Sequence, residues 1–351
     1  MKKRVELNYY SRSTEEYWMK IALMLGLNKE ETAFARQVGV EHAVWSGPDS
    51  PKGYLGYGEL MNAVEFFETE GLHLGVIENV PVNFYDKIMF GLPGKEKQVE
   101  NMCLTIQNMG RAGIPVFGYH WMALGGTTTD MIRGRGGALM RHFDLEAALN
   151  NPAPSLCWRR SDTPDQPIHL PDVEVSTEQM WDNLAFFLEK VIPVAEESGV
   201  KLAAHPDDAP FPMFMGVARI LSSLEDFERL FRLYPSPANG MDFCQGTISE
   251  MAGVDVLEAI RHFGSMGKIH FAHFRDTQGT MPVFTEVFMD EGDLDMFAAI
   301  RAYREVNYDG LIRADHTPHV IGDNEYAHRG FGYEIGYMQG LIQAAESLTS
   351  K

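Results

Sequence analysis

Four residues of metal-binding type, His205, Cys244, His273 and Asp315, each close a short β-rich run in the second half of the chain. Imidazole, thiolate, imidazole and carboxylate are all competent ligands for a divalent ion. A lone strand-end histidine is more often a hydrogen-bonded structural residue, and a lone cysteine more often a small buried hydrophobe. Four runs in succession closing on four ligand types point instead to one shared site. His270 is a rival to His273, but three residues along a strand put the two on opposite faces, so only one can join the others. One thiolate among two nitrogens and an oxygen suits Zn²⁺ in a closed tetrahedral site. It equally suits Mn²⁺ or Fe²⁺ where the coordination sphere stays open to a chelating substrate.

Residues so far apart in sequence meet only if the fold gathers strand ends, so the surrounding elements must do that. The β-rich runs are Val5–Tyr10, Val40–Trp45, Leu74–Glu78, Pro115–His120, Lys201–His205, Asn239–Cys244, Lys268–His273 and Gly310–Asp315. Between them lie helical patterns over Glu59–Glu70, Lys95–Ala112, Thr177–Ser198, Ser223–Leu233, Val254–Phe263, Leu294–Glu305 and Tyr333–Ser347. In Thr177–Ser198, apolar residues from Trp181 to Val194 recur mostly at three and four, and Gly199 follows as a stop signal. About eight βα repeats predict an α/β chain folded as a (β/α)₈ TIM barrel, whose strand C-termini share one mouth. The 351 residues are then expected to form a single barrel domain. A long excursion at about 123–175, rich in Gly and then Pro, interrupts the rhythm after the fourth run, where it would wall the active-site mouth.

Composition removes other classes. Thirty Lys and Arg against 49 Asp and Glu give a formal net charge of −19, the wrong sign for a nucleic-acid or anionic-membrane binder. The mix of 45% hydrophobic and 23% charged residues is that of a globular protein rather than a disordered one. Cys103, Cys157 and Cys244 are too few for a disulfide framework and suit a reducing compartment. No run of about 18 uncharged apolar residues is present, and Met1-Lys2-Lys3-Arg4 leads into no apolar signal core. A cytoplasmic protein is expected, assembled as a homodimer or a higher homo-oligomer, two-fold dimers being the commonest.

Several longer motifs extend the strand-end pattern: Val76-Ile-Glu-Asn-Val-Pro81, Asn108-Met-Gly-Arg-Ala-Gly-Ile-Pro-Val-Phe-Gly-Tyr119, His205-Pro-Asp-Asp208, Asp242-Phe-Cys-Gln-Gly246, His273-Phe-Arg275, Phe284-Thr-Glu286, Gly292-Asp-Leu-Asp-Met296 and Arg313-Ala-Asp-His316. In this order, and over most of the chain, they resemble the mannonate dehydratases of hexuronate catabolism, which are xylose-isomerase-like barrels. The resemblance implies dehydration of D-mannonate to 2-keto-3-deoxy-D-gluconate, with Mn²⁺ as the usual ion; Fe²⁺ is kept as the alternative, with Zn²⁺ behind it. It implies that His205, Cys244, His273 and Asp315 are the ligands. The family's catalytic histidine falls on His316 and its catalytic tyrosine on Tyr333, preceded by Gly332, with Tyr326 as a rival lacking that glycine.

Removing the proton beside a carboxylate leaves an enediolate that needs a cation, while the departing hydroxyl needs a proton. The substrate carboxylate needs a clamp, and Arg275, two residues beyond His273, is expected to face the mouth as that clamp. The rival reading pairs it with Asp276 or Glu286. His120, Ala209, Phe288, Ala314 and Thr317 depart from the family pattern around the pocket, which leaves another aldonate, or a metal-dependent sugar isomerase or epimerase on the same barrel, as the alternative function. A non-catalytic sugar-acid binder would have no use for His316 beside a ligand or for a catalytic tyrosine.

Overall fold

A computed structural model describes residues 18–48, 50–151 and 173–348. In chain order the elements are β1 (Lys20–Met24), α1 (Lys29–Gln37), β2 (His42–Trp45), α2 (Tyr57–Thr69), β3 (His73–Glu78), α3 (Asp86–Met89), α4 (Lys95–Ala112), β4 (Val116–His120), β5 (Asp130–Arg133), β6 (Leu139–Asp144) and α5 (Leu145–Asn150). They continue with α6 (Thr177–Ser198), β7 (Lys201–His205), β8 (Met213–Phe214), β9 (Val217–Ala218), α7 (Leu224–Leu233), β10 (Asn239–Cys244), α8 (Gln245–Glu250), α9 (Val256–Ser265), β11 (Ile269–Phe274), β12 (Asp276–Thr280), β13 (Val283–Val287), α10 (Met296–Glu305), β14 (Leu311–Ala314) and α11 (His328–Ser347).

Strands β1, β2, β3, β4, β7, β10, β11 and β14 pair in parallel and close a barrel, with β1 against both β2 and β14. Seven of the expected runs are these strands to within a residue or two. The eighth is a correction: Val5–Tyr10 lies outside the described residues, and the place of the first strand is taken by Lys20-Ile-Ala-Leu-Met24. Val44, Val76, Val116, Ala203, Phe271 and Ala22 fill the barrel interior, and the larger core lies between the strands and the helices around them. Local signals agree with this packing. Ser176 caps α6 by accepting from the Gln179 N–H, and Gly199 ends it at φ +67°, where a side chain would be strained.

The excursion after β4 carries secondary structure of its own. Its described part holds β5, β6 and α5, and β6 pairs antiparallel with β13, so that β12, β13, β6 and β5 form a second, four-stranded sheet. An isolated bridge between Leu139 and His319 ties β6 to the segment after β14. This sheet stands over the C-terminal ends of the barrel strands. Residues 152–172, with Cys157, lie outside the described residues.

Candidate metal and proton-transfer site

The site rests on the two-residue alternation of the strands. Val76 and Glu78, Ala203 and His205, and Phe271 and His273 are pairs two apart, the first member in the barrel's apolar interior and the second at its mouth. The mouth opens as a cavity of about 390 Å³, with Glu78, His120, His205, His273, Asp315 and His316 among the residues on its wall. Gly118 on β4 lets the Glu78 side chain cross it, because a Cβ there would lie 2.8 Å from Glu78 Cγ.

The structure brings His205, Cys244 and His273 together, with one potential ligand atom of each within 4.8 Å of the others. Atoms that share one ion at about 2.0–2.3 Å sit within such a spacing. His205 Nδ1 donates to the Pro206 carbonyl oxygen at 2.6 Å, which turns Nε2 toward the site as the free lone pair. Asp315 Oδ2 is 3.6 Å from His273 Nδ1. Both ring nitrogens of His273 are buried without a hydrogen-bond partner among the described residues. Burial opposes the Cys244 thiolate, but the Arg275 guanidinium and His205 outweigh it and hold the thiol well below its ordinary range. Thr247 Oγ1 donates to this sulfur at 3.1 Å. A thiolate, two imidazoles and a neighbouring carboxylate, with orphaned nitrogens between them, fit a divalent cation. His270 is turned away and donates to the Leu202 carbonyl oxygen.

Two carboxylates below the triad were not read from the sequence. Asp242 Oδ2 lies 3.0 Å and Glu78 Oε1 3.3 Å from His273 Nε2, and the three form a second cluster of ligand type. Burial pushes Asp242 up to about 7. Burial also opposes the Glu78 charge, but Arg313 and His273 overcome it and hold Glu78 low. These residues had a signal: Glu78 and His120 end β3 and β4, while Asp242 and Arg313 stand two before Cys244 and Asp315.

His316 sits at the rim, half-buried. Its Nδ1 donates to Glu286 Oε2 at 2.6 Å, and its Nε2 is 3.6 Å from Asp315 Oδ2 and 3.0 Å from Arg141 Nη1. Burial opposes the Glu286 charge, but His316 and Arg275 bring it down to about 2. Glu286 from β13 and Arg141 from β6 come from the second sheet, and no local pattern marks either of them. Asp208, Glu286 and His316 form a third cluster of ligand type. Arg275 Nη2 lies 2.6 Å from Asp208 and Arg141 lies against His316, so guanidinium charge already occupies the place a second cation would need.

Two expectations are corrected. Arg275 is fully buried and committed to protein carboxylates, with Asp208 at 2.6 Å, Glu250 at 2.9 Å, Asp315 at 3.4 Å and Glu286 at 3.7 Å. It is not on the cavity wall. Four carboxylates around one guanidinium leave no donor edge for a substrate; the rival pairing with Glu286 is present at its longer distance. Gly246 fits flush against it, since a Cβ there would lie 2.4 Å from Arg275 Cγ. Tyr333 is also off the wall. It is 42% exposed, its ring lies against Phe288 and beneath Arg135, and its hydroxyl is engaged by Asp290 and Arg135. Burial first, then Asp290, raise its ionisation. Tyr326 lies against His328, and its hydroxyl accepts from Asn28.

A family model described as D-mannonate dehydratase (UxuA) matches residues 27–351. The chain belongs to the mannonate dehydratase family. The mannonate dehydratase of Thermotoga maritima is 33% identical over 364 residues, covering 95% of this chain and 99% of that protein. Mannonate dehydratase 2 of Halalkalibacterium halodurans is 33% identical over 297 residues, covering 80% and 85%. Among solved structures, the mannonate dehydratase of Streptococcus suis superposes with a TM-score of 0.81 at 28% identity, over 95% of this chain and 96% of that one. A xylose isomerase domain protein of Planctomyces limnophilus, at 12% identity and a TM-score of 0.60 over 94% and 99%, shares the barrel fold. Mannonate dehydratases are metal-dependent hydro-lyases, and the ligand-type clusters of this chain are in keeping with that. Among the described residues no helix is long and apolar enough to cross a membrane.

Proposed function

We propose that the chain dehydrates D-mannonate to 2-keto-3-deoxy-D-gluconate with a bound Mn²⁺, Fe²⁺ being the next best ion and Zn²⁺ a poorer one. The observation that carries this reading is that His205 and His273, clustered with the buried Cys244, share one cavity wall with Asp315 and His316, in a chain of this family. His205, Cys244, His273 and Asp315 are assigned as the ligands. The ion, when bound, supplies positive charge to the carboxylate and neighbouring oxygen of a sugar acid, which acidifies the C2 proton.

In the reaction the C2–H and C3–O bonds break, water leaves, and the resulting enol becomes the 2-keto acid. His316 is assigned the proton transfer. Its Nδ1–H is held by Glu286, so Nε2 is the atom that takes or returns the proton, and the buried carboxylate stabilises the imidazolium formed. Solvent-deuterium exchange at C2 in His316→Ala separates the two roles. Exchange that survives without dehydration assigns His316 to the leaving hydroxyl, and loss of exchange assigns it to C2. Tyr333, given a proton-transfer role by family resemblance, does not enter this proposal because its hydroxyl is engaged away from the cavity wall.

We further propose that the 351 residues act as one barrel domain, that the 123–175 excursion is part of the mouth, and that the enzyme is a cytoplasmic homodimer or higher homo-oligomer. Light scattering checks the last point by mass. The deciding assay incubates metal-stripped protein with D-mannonate, with and without Mn²⁺, and detects the 2-keto-3-deoxy acid. Metal-dependent product is the expected result. Absence of product from protein that retains one equivalent of Mn²⁺ overturns the substrate and redirects the assay to other aldonates.

A further inference from the structure

Four carboxylates, those of Glu78, Asp208, Glu286 and Asp315, lie on the cavity lining, yet a sugar acid is itself an anion. Among the described residues, Arg275, Arg313 and Arg141 lie beside these carboxylates, and the first two are already matched. Arg275 is enclosed by Asp208, Glu250, Glu286 and Asp315, while Arg313 is held by Asp315 at 2.6 Å and Glu78 at 3.4 Å. Arg141 is different. It is half-buried on the cavity wall, its Nη1 lies 3.0 and 3.2 Å from the two nitrogens of His316, and among the described residues it makes no ion pair.

Resting on the reading that the cavity takes an aldonate, we propose that Arg141 binds the substrate's C1 carboxylate and sets the enzyme's preference for sugar acids over neutral sugars. The position suits the chemistry. C1 is bonded to C2, so a carboxylate held beside the His316 ring carries the reacting carbon next to the imidazole. A planar guanidinium offers paired donors to a carboxylate in a partly desolvated place, where charge-assisted bonds are strongest. A neutral polyol reaching the same place leaves the guanidinium without an anion, so the site selects against it as well as for the acid. Arg141 rides on β6, an excursion strand, so specificity comes from the second sheet while the ligand triad comes from the barrel.

The test compares wild type, Arg141→Met and Arg141→Lys, each loaded with Mn²⁺ and checked for metal content and thermal midpoint. KM and kcat are measured for D-mannonate, and dissociation constants for D-gluconate as the acid probe and D-mannitol as the neutral one. Arg141→Met is expected to weaken the acid ligands by roughly 10- to 100-fold while D-mannitol is unchanged, and Arg141→Lys to fall between. An unchanged KM and an unchanged acid-to-polyol ratio in the Met variant overturn the proposal, whatever happens to kcat. If the Met variant does not fold, Arg141→Gln takes its place, and wild-type acid preference in that variant overturns the proposal equally. A wild type inactive on D-mannonate that binds another aldonate through Arg141 overturns the substrate reading and supports this one. A wild type that binds no aldonate overturns both.

Discussion

On the floor of the cavity the ligand-type side chains ride on parallel barrel strands, one alternation above apolar residues, whereas on its roof Arg141 and Glu286 ride on antiparallel strands that pair late in the chain with an excursion from its middle. The floor is deeply buried and crowded with opposed charge. Glu78, Asp242, Asp315 and His205 all gather around His273, in surroundings where an unpaired charge would be costly. The roof is more exposed and is pinned from outside: Arg135, at the tip of the β5–β6 hairpin, donates to Asp290 at 2.6 and 3.0 Å and stacks on Phe288. The difference teaches that one fold has divided the labour. The barrel strands and the segments that follow them carry the ligand-type cluster and His316, and the second sheet supplies the partners of His316, Arg141 and Glu286.

The comparison makes predictions, of which the largest concerns the point where roof meets floor. His316→Ala should lower turnover by about 10²- to 10⁴-fold while leaving bound metal at its wild-type level. Metal analysis beside the kinetics checks this, and a loss of metal would mean that His316 belongs to the floor instead. Cys244→Ala should weaken Mn²⁺ by roughly 100-fold, read by titration of the stripped protein, with the barrel's circular dichroism unchanged. Retention of wild-type affinity would move the ion to the Glu78–Asp242–His273 cluster below.

A smaller effect tests the roof's anchorage. Glu334 on α11 is buried and makes no ion pair among the described residues; burial pushes it up to about 8, against the Met289 backbone and with Asp290 adding to the effect. The folded protein keeps this proton up to about pH 8, while the unfolded chain loses it near 4.5. The native state therefore binds more protons between those values, and stability falls as pH rises through that window. Glu334→Gln should flatten that slope and raise stability at pH 8 or above by on the order of 2 kcal/mol, measured by urea unfolding across pH. Last, Arg135→Ala should cost about 1 kcal/mol, because an exposed ion pair and an exposed cation–π contact are each worth little. A shift in KM for D-mannonate in that variant would show that the anchor also sets the roof's position.

Much of the floor was legible. His205, Cys244 and His273 stand at strand ends because a period of two and a break after the strand are written locally, and the same rule applied to β3 and β4 reaches Glu78 and His120. Arg275 shows the rule's limit. Its spacing from His273 predicts a side chain facing the mouth, but spacing does not tell which neighbours will claim the guanidinium, and Asp208, Glu250 and Glu286 come from three other segments. Tyr333 shows another. A motif places a residue near the start of a helix, whereas the direction of that helix start depends on packing against Phe288 and Arg135.

The sequence by itself determined the alternation of strand and helix, the barrel that follows from it, and the convergence of ligand-type residues at one mouth, because each rests on periodicity and on strand ends within a few residues. Only the tertiary structure decided that Lys20–Met24 closes the barrel, that the excursion returns as a sheet against β13, and that Arg141 rather than Arg275 faces the cavity. These depend on pairings between segments more than a hundred residues apart, such as Thr285 with His142, whose register no local pattern encodes.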